Sequence, residues 1–141
     1  MNIPDAEFFK ELLSMFRIET EEHIKTMTTG LQQLEQDPAP EKKAEILEVI
    51  FRSAHSLKGA ARTVGLVDIE PISLSLESLF SSMRQNDFTL SQEMFSMLHK
   101  VIEFLGKLIN SIDEAGKMTG DKSEISRLLD NINSNIFHEK E

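Results

Sequence analysis

The chain contains no cysteine. Disulfides, thiolate metal sites and cysteine nucleophiles are thereby excluded, and a reducing compartment fits. Long apolar runs are missing too, since none approaches the ~18 residues that a membrane span requires. The N-terminus has no basic stretch leading into an apolar one and carries Asp5 and Glu7 instead, so no secretory signal is read there. A soluble, cytoplasmic chain with no membrane contact is expected. Sustained alternation of polar and apolar residues is also absent, which argues against strands. No GxSxG, no kinase nucleotide motif and no carboxylate pair in a predicted cleft appears, so neither hydrolysis nor ATP binding is expected, and the chain is read as a non-enzyme. Gly120-Asp121-Lys122-Ser123 superficially resembles a phosphate loop, but an aspartate separates glycine from lysine and no strand precedes it, which leaves a turn and helix cap. His23, His99 and His138 fall on separate predicted helices without HxxxH or ExxH spacing, so no metal and no cofactor are expected.

What is present describes a globular domain. Of the 141 residues, 40% are apolar and 28% charged, proportions typical of a soluble fold rather than a disordered chain. That length buries roughly two-thirds of the unfolded surface, and no linker or internal repeat divides it, so one domain over 1–141 is expected. The formal charge of −9 repels phosphate backbones, and basic residues are mostly dispersed, which argues against nucleic acid. One small basic cluster stands out, around His55.

Apolar residues recur at three- and four-residue steps in five segments, near 5–36, 41–64, 68–86, 91–115 and 123–137. The first begins at Pro4, suited to an initial turn, and runs through Phe9, Leu12, Phe16, Ile24, Met27, Leu31 and Leu34 to the Asp37-Pro38-Ala39-Pro40 break. The second carries a stripe of Ile46, Ile50, Ala54, Leu57, Ala61 and Val64, with Gly65 as its C-terminal cap. The third starts at an Asp68 N-cap and carries Ile72, Leu76, Leu79 and Met83 to Asn86-Asp87, before a turn containing Phe88. The fourth runs from Ser91 through Met94, Leu98, Val101, Leu105, Leu108 and Ile112 to about Gly116, its Met97, Phe95 and Phe104 read as core rather than as a partner groove. The last presents Ile125, Leu128, Leu129, Ile132 and Ile136. Short connections favour antiparallel neighbours, which predicts an all-α, up-and-down antiparallel four-helix bundle with an additional C-terminal helix.

On the second helix, a step of about 100° per residue puts His55 about 150° from the centre of the apolar stripe, facing solvent. Arg52, Lys58 and Arg62, at offsets of −3, +3 and +7, are expected to flank its ring. Gly59 costs about 1 kcal/mol relative to alanine inside a helix, and clearance for an approaching partner backbone is one reason to keep it; helix packing or chance is the other. An exposed imidazole keeps one nitrogen available as a nucleophile, and neighbouring cations stabilise a phosphoryl group attached there. Spacing alone also allows an ordinary solvated face.

At these residues the sequence resembles a known family. Phe51-Arg52-Ser53-Ala54-His55-Ser56-Leu57-Lys58-Gly59-Ala60-Ala61 resembles the signature of histidine phosphotransfer (HPt) domains, with His-Ser-Leu-Lys-Gly on a helix its most specific part. Thr63-Val64-Gly65-Leu66 follows at the distance seen in the N-terminal phosphotransfer domains of CheA-type chemotaxis kinases, and the helical layout is similar nearly end to end. The resemblance implies that His55 accepts phosphate on Nε2 from a histidine-kinase ATP-binding domain and yields it to an aspartate of a response-regulator receiver domain. It places Lys58 near the phosphoryl group, makes Gly59 the clearance for a docking partner, and matches Glu77 to the glutamate that holds the histidine's Nδ1–H. That contact fixes the tautomer and favours attack from Nε2. On its own helix Glu77 lies roughly 120° from the apolar stripe, a boundary position. A second histidine common one turn before that glutamate is replaced by Leu74, so a network using it is not expected.

A stand-alone or hybrid-kinase HPt protein of a multistep relay has the same chemistry with a different donor. The dimerising histidine helix of an orthodox sensor kinase generally has an acidic residue after its histidine, where this chain has Ser56. An inert helical scaffold is the reading from a different class. The isolated domain is expected to be monomeric.

Overall fold

In the computed structural model the backbone is described at residues 3–86 and 90–140 and the side chains at 6–86 and 90–134. Expectations placed on Asp87 and Phe88 lie outside the described residues, and those placed on the side chains of Asp5, Ile136 and His138 lie outside the described side chains. Five helices follow in order, α1 (Ile3–Leu34), α2 (Pro40–Thr63), α3 (Ile69–Asn86), α4 (Gln92–Asn110) and α5 (Ser123–Lys140). Among the described residues the only β-type pairing is an isolated bridge between Ile112 and Met118.

Cross-helix contacts fix an antiparallel register. On the α2–α3 seam Arg62 meets Glu70, Lys58 meets Glu77 and Arg84 meets Glu48, so one helix counts up as the other counts down. Between α1 and α4, His99 meets Glu35 while Arg17 donates to the Ile112 carbonyl near the opposite end. α2 packs on α1 and α3, α4 on α1 and α5, and α5 reaches α3 as well, placing the fifth helix against the α3–α4 side of the bundle.

The stripe on α2 is buried throughout, Ile46, Ile50, Ala54, Leu57, Ala61 and Val64 all joining the core. The periodic residues of α3 join it too, as do Ile125, Leu128, Leu129 and Ile132 of α5 and Met94 and Phe95 of α4, while Met97 and Phe104 pack half-buried on its edge. On α1, Leu13 is buried although the periodic reading passed over it, while Phe8, Met15 and Ile18, which that reading left out of the stripe, stand exposed.

The helix ends follow from local chemistry. α2 stops at Gly65, whose φ of +74° is left-handed. There the Gly65 N–H donates to the Arg62 carbonyl and the Leu66 N–H to the Ala61 carbonyl, the paired bonds of a Schellman cap. Ser91 caps α4 by accepting from the Met94 N–H. Asp68 does not cap α3; its carboxylate is paired with Lys122 from the segment before α5. α4 ends at Asn110, short of the expected Gly116, because Asp113 Oδ1 accepts from the Ala115 and Lys117 N–H groups, each at 2.9 Å, and turns the chain back. Gly120-Asp121-Lys122-Ser123 forms a turn in which Asp121 accepts from the Ser123 N–H at the start of α5.

Gly30 allows a close α1–α2 approach, since a Cβ there would lie 2.2 Å from Ile50 Cγ2. Gly30→Ala must displace a fully buried Ile50. The overpacking cost of about 1–3 kcal/mol exceeds the roughly 1 kcal/mol of helix propensity regained, so the melting temperature is expected to fall by a few degrees in calorimetry. An unchanged or raised value would show that the crossing relaxes freely.

Candidate functional site

The α2–α3 register brings together three of the residues picked out from the sequence. His55 Nδ1 lies 3.2 Å from Glu77 Oε2, and Lys58 Nζ lies 2.7 Å from the same oxygen. The three differ in exposure in a way that suits different roles. The His55 side chain is 61% exposed, whereas those of Lys58 and Glu77 are 16% and 15% exposed. Just under one turn separates His55 from Lys58 on α2, and Glu77 reaches from α3 to both.

Burial alone pushes the Glu77 carboxyl up, but contacts from Lys58 and then His55 outweigh it and hold the carboxyl below its ordinary pKa. Glu77 is therefore a carboxylate at neutral pH, an acceptor only. Such an acceptor at Nδ1 selects the tautomer with the proton on Nδ1 and leaves the lone pair on Nε2. Because the ring is mostly exposed, that second nitrogen is reachable from solvent.

The remaining picks are placed differently. Gly59 lies exposed one turn after His55, and a Cβ there meets nothing within 4 Å. No packing among the described residues calls for its glycine. Together with Ser56, Ala60, Thr63 and Val64 it floors a shallow groove whose far wall is Leu12, Met15, Phe16 and Glu19 of α1. Arg52 and Arg62 do not close on the imidazole as the wheel suggests. Arg52 Nε is 2.7 Å from Glu48 Oε1 one turn back, and Arg62 Nη2 is 2.6 Å from Glu70 Oε1 on α3. Leu74 is 48% exposed, on α3 between Glu70 and Glu77.

One neighbour of His55, and the cation that lies on that neighbour, were not picked out from the sequence. The Phe51 ring stacks on the imidazole with centroids 6.3 Å apart and planes 15° from parallel. Arg84 of α3 lies over the Phe51 ring, its Cζ 4.8 Å from the centroid. Phe51 had a signal, since a residue four before His55 shares its helix face; Arg84 had none. Elsewhere His23 is paired with Glu19 and His99 with Glu35. Among the described residues no three His, Asp or Glu side chains converge as metal ligands do, and no helix is long and apolar enough to cross a membrane.

The site is thus an exposed histidine whose Nδ1 lies against a largely buried carboxylate–lysine pair, on the outer face of a helical bundle. The Hpt domain model matches residues 11–132, and the chain belongs to that family. The chemotaxis protein CheA of Bacillus subtilis is 31% identical over 120 residues, covering 85% of this chain and 17% of that protein. CheA of Halobacterium salinarum is 28% identical over 126 residues, covering 86% and 18%. The chain thus spans under a fifth of the length of these relatives. Among solved structures, the phosphorylated P1 domain of CheA3 in complex with CheY6 from R. sphaeroides superposes with a TM-score of 0.76 at 19% identity, covering 92% of this chain and 98% of that one. That likeness supports the helical-bundle fold.

Proposed function

We propose that this chain is the phosphoacceptor and phosphotransfer domain of chemotaxis-type two-component signalling, a carrier without its own ATP site, acting in the cytoplasm as a monomeric module. Its donor is the ATP-binding domain of a CheA-type histidine kinase, and its acceptor a response-regulator receiver domain. The observation that carries this reading is the exposed His55 ring whose Nδ1 lies 3.2 Å from Glu77.

In the forward step the Nε2 lone pair attacks the γ-phosphorus of ATP held by the kinase, the bond to the bridging oxygen breaks, and ADP leaves with those electrons. The imidazole, still carrying its Nδ1 proton, gains positive character, which the Glu77 carboxylate stabilises. Lys58 lies near enough to turn toward the new phosphoryl oxygens. In the second step a receiver aspartate oxygen attacks phosphorus, the N–P bond breaks, and the neutral imidazole returns. Arg52 and Arg62, already paired, contribute positive field at longer range.

Mixing the chain with such a kinase domain and γ-labelled ATP is expected to give an acid-labile, base-stable label, drained when a receiver domain is added. A label that resists acid would point to a different acceptor.

Gly59 separates stability from function. Gly59→Gln fills open space and gains up to about 1 kcal/mol of helix propensity, so the bundle is expected to melt at the same or a higher temperature. Its side chain projects into the groove that Gly59 shares with Ser56 and the exposed Met15, beside His55 on α2, and transfer to the receiver domain is expected to slow by about tenfold or more. Transfer at the wild-type rate would show that the partner does not approach over Gly59.

A further inference from the structure

Among the groups around His55 that the phosphotransfer reading leaves unused, Phe51 has the most direct geometric relation to the reacting ring. An imidazole has two side-chain torsions, and the Glu77 contact holds one atom of the ring. One distance restraint on two torsions leaves a coupled χ1/χ2 motion, which still sweeps Nε2 through an arc. The near-parallel Phe51 ring, 15° from the imidazole plane, closes that arc from one face. Its offset placement, with centroids 6.3 Å apart, leaves the imidazole side chain 61% exposed.

Phe51 is itself restrained. Arg84 reaches across from α3 to lie over it at 4.8 Å, and its guanidinium is also paired with Glu48, one turn before Phe51 on α2. Glu48 in turn holds Arg52. Glu48, Phe51, Arg52 and His55 thus share one face of α2, cross-linked to α3 at Arg84 on one side and at Glu77 on the other. We propose that Phe51, clamped by Arg84, is a positioning residue for His55 that sets the imidazole plane, so that Nε2 is presented in line with the donor phosphate. This role rests on the phosphoacceptor reading for its purpose but not for its detection.

Phe51→Leu keeps much of the volume and removes the flat face; Phe51→Tyr keeps the face. Two readouts are needed. In the unphosphorylated chain, labelled at histidine, NMR couplings and relaxation of the His55 ring report its order without any phosphotransfer. Phe51→Leu and Arg84→Met are expected to broaden the χ2 distribution of His55, and Phe51→Tyr to leave it as in the wild type. With a CheA-type kinase domain and labelled ATP, Phe51→Leu is expected to lower kcat about five- to tenfold with KM within twofold, since orientation rather than binding is lost, and Phe51→Tyr to restore it.

An ordered wild-type-like ring in Phe51→Leu overturns the proposal, whatever the kinetics. So does an unchanged kcat, or a fall in kcat that Phe51→Tyr does not rescue. Failure of the wild-type chain to take label at His55 would remove the phosphoacceptor reading instead, while the NMR comparison would still decide whether Phe51 orders the ring.

Discussion

His55→Gln is expected to leave the chain entirely unlabelled by a CheA-type kinase domain and ATP, with a melting temperature within about a degree of the wild type. The kinetic half follows from chemistry: glutamine is close in size and can still hydrogen-bond Glu77, but its amide nitrogen has no nucleophilic lone pair. The stability half follows from exposure. With 61% of its side chain in solvent, His55 contributes little to packing, and surface substitutions typically stay within about 0.5 kcal/mol. Loss of label together with loss of fold would say nothing about the acceptor, which is why circular dichroism belongs beside the assay. Label retained on a folded His55→Gln chain would place the phosphate elsewhere and remove the proposed function.

Much of this site was legible because a helix imposes its own geometry. The stripe from Ile46 to Val64 is buried and His55 is exposed, as a step of about 100° per residue requires. Boundaries were less legible. The apolar period of α4 runs on through Ile112, which is indeed buried, but the helix has ended at Asn110 and Ile112 reaches the core from a turn. Periodicity reports which residues face the core, not which backbone conformation delivers them.

The charged residues show the same limit more sharply. Arg52 and Lys58 sit at equal offsets on either side of His55; a wheel of α2 puts Lys58 about 90° and Arg52 about 150° from the centre of the apolar stripe, but it names no partner for either. Lys58 finds Glu77 across the α3 seam and is drawn into a largely buried pair, while Arg52 is taken by Glu48 on its own helix. Arg62 goes to Glu70. Which cation serves His55 depends on where α3 places its carboxylates, and that is tertiary information. Arg84 over Phe51 is invisible for the same reason: the two residues are far apart in sequence and meet only because the helices run antiparallel.

Glu77 joins these threads, because one of its oxygens serves both His55 and Lys58. Glu77→Ala removes the Nδ1 anchor and leaves a largely buried ammonium without its partner. The first loss is expected to slow phosphorylation by about ten- to a hundredfold, the range seen when a group that orients a functional histidine is removed. The second costs about 1–2 kcal/mol, less than the 3–5 kcal/mol of a fully buried pair because both side chains retain some solvent. The bundle is expected to stay folded, and the His55 tautomer, read by 15N NMR, to revert toward the mixture of a free imidazole. An acid titration checks the electrostatic origin. The folded pKa of Glu77 lies below its ordinary value, so its contribution is fully present above about 4.3, the unfolded value, and is lost as pH falls through the folded one. The stability gap between the wild type and Glu77→Gln, which cannot ionise, is therefore expected to stay constant near neutrality and to shrink below about pH 4. A gap that persists undiminished at pH 3 would mean that the glutamate acts through its shape and not through its charge. An unchanged tautomer and phosphorylation rate in Glu77→Ala would take it out of the mechanism.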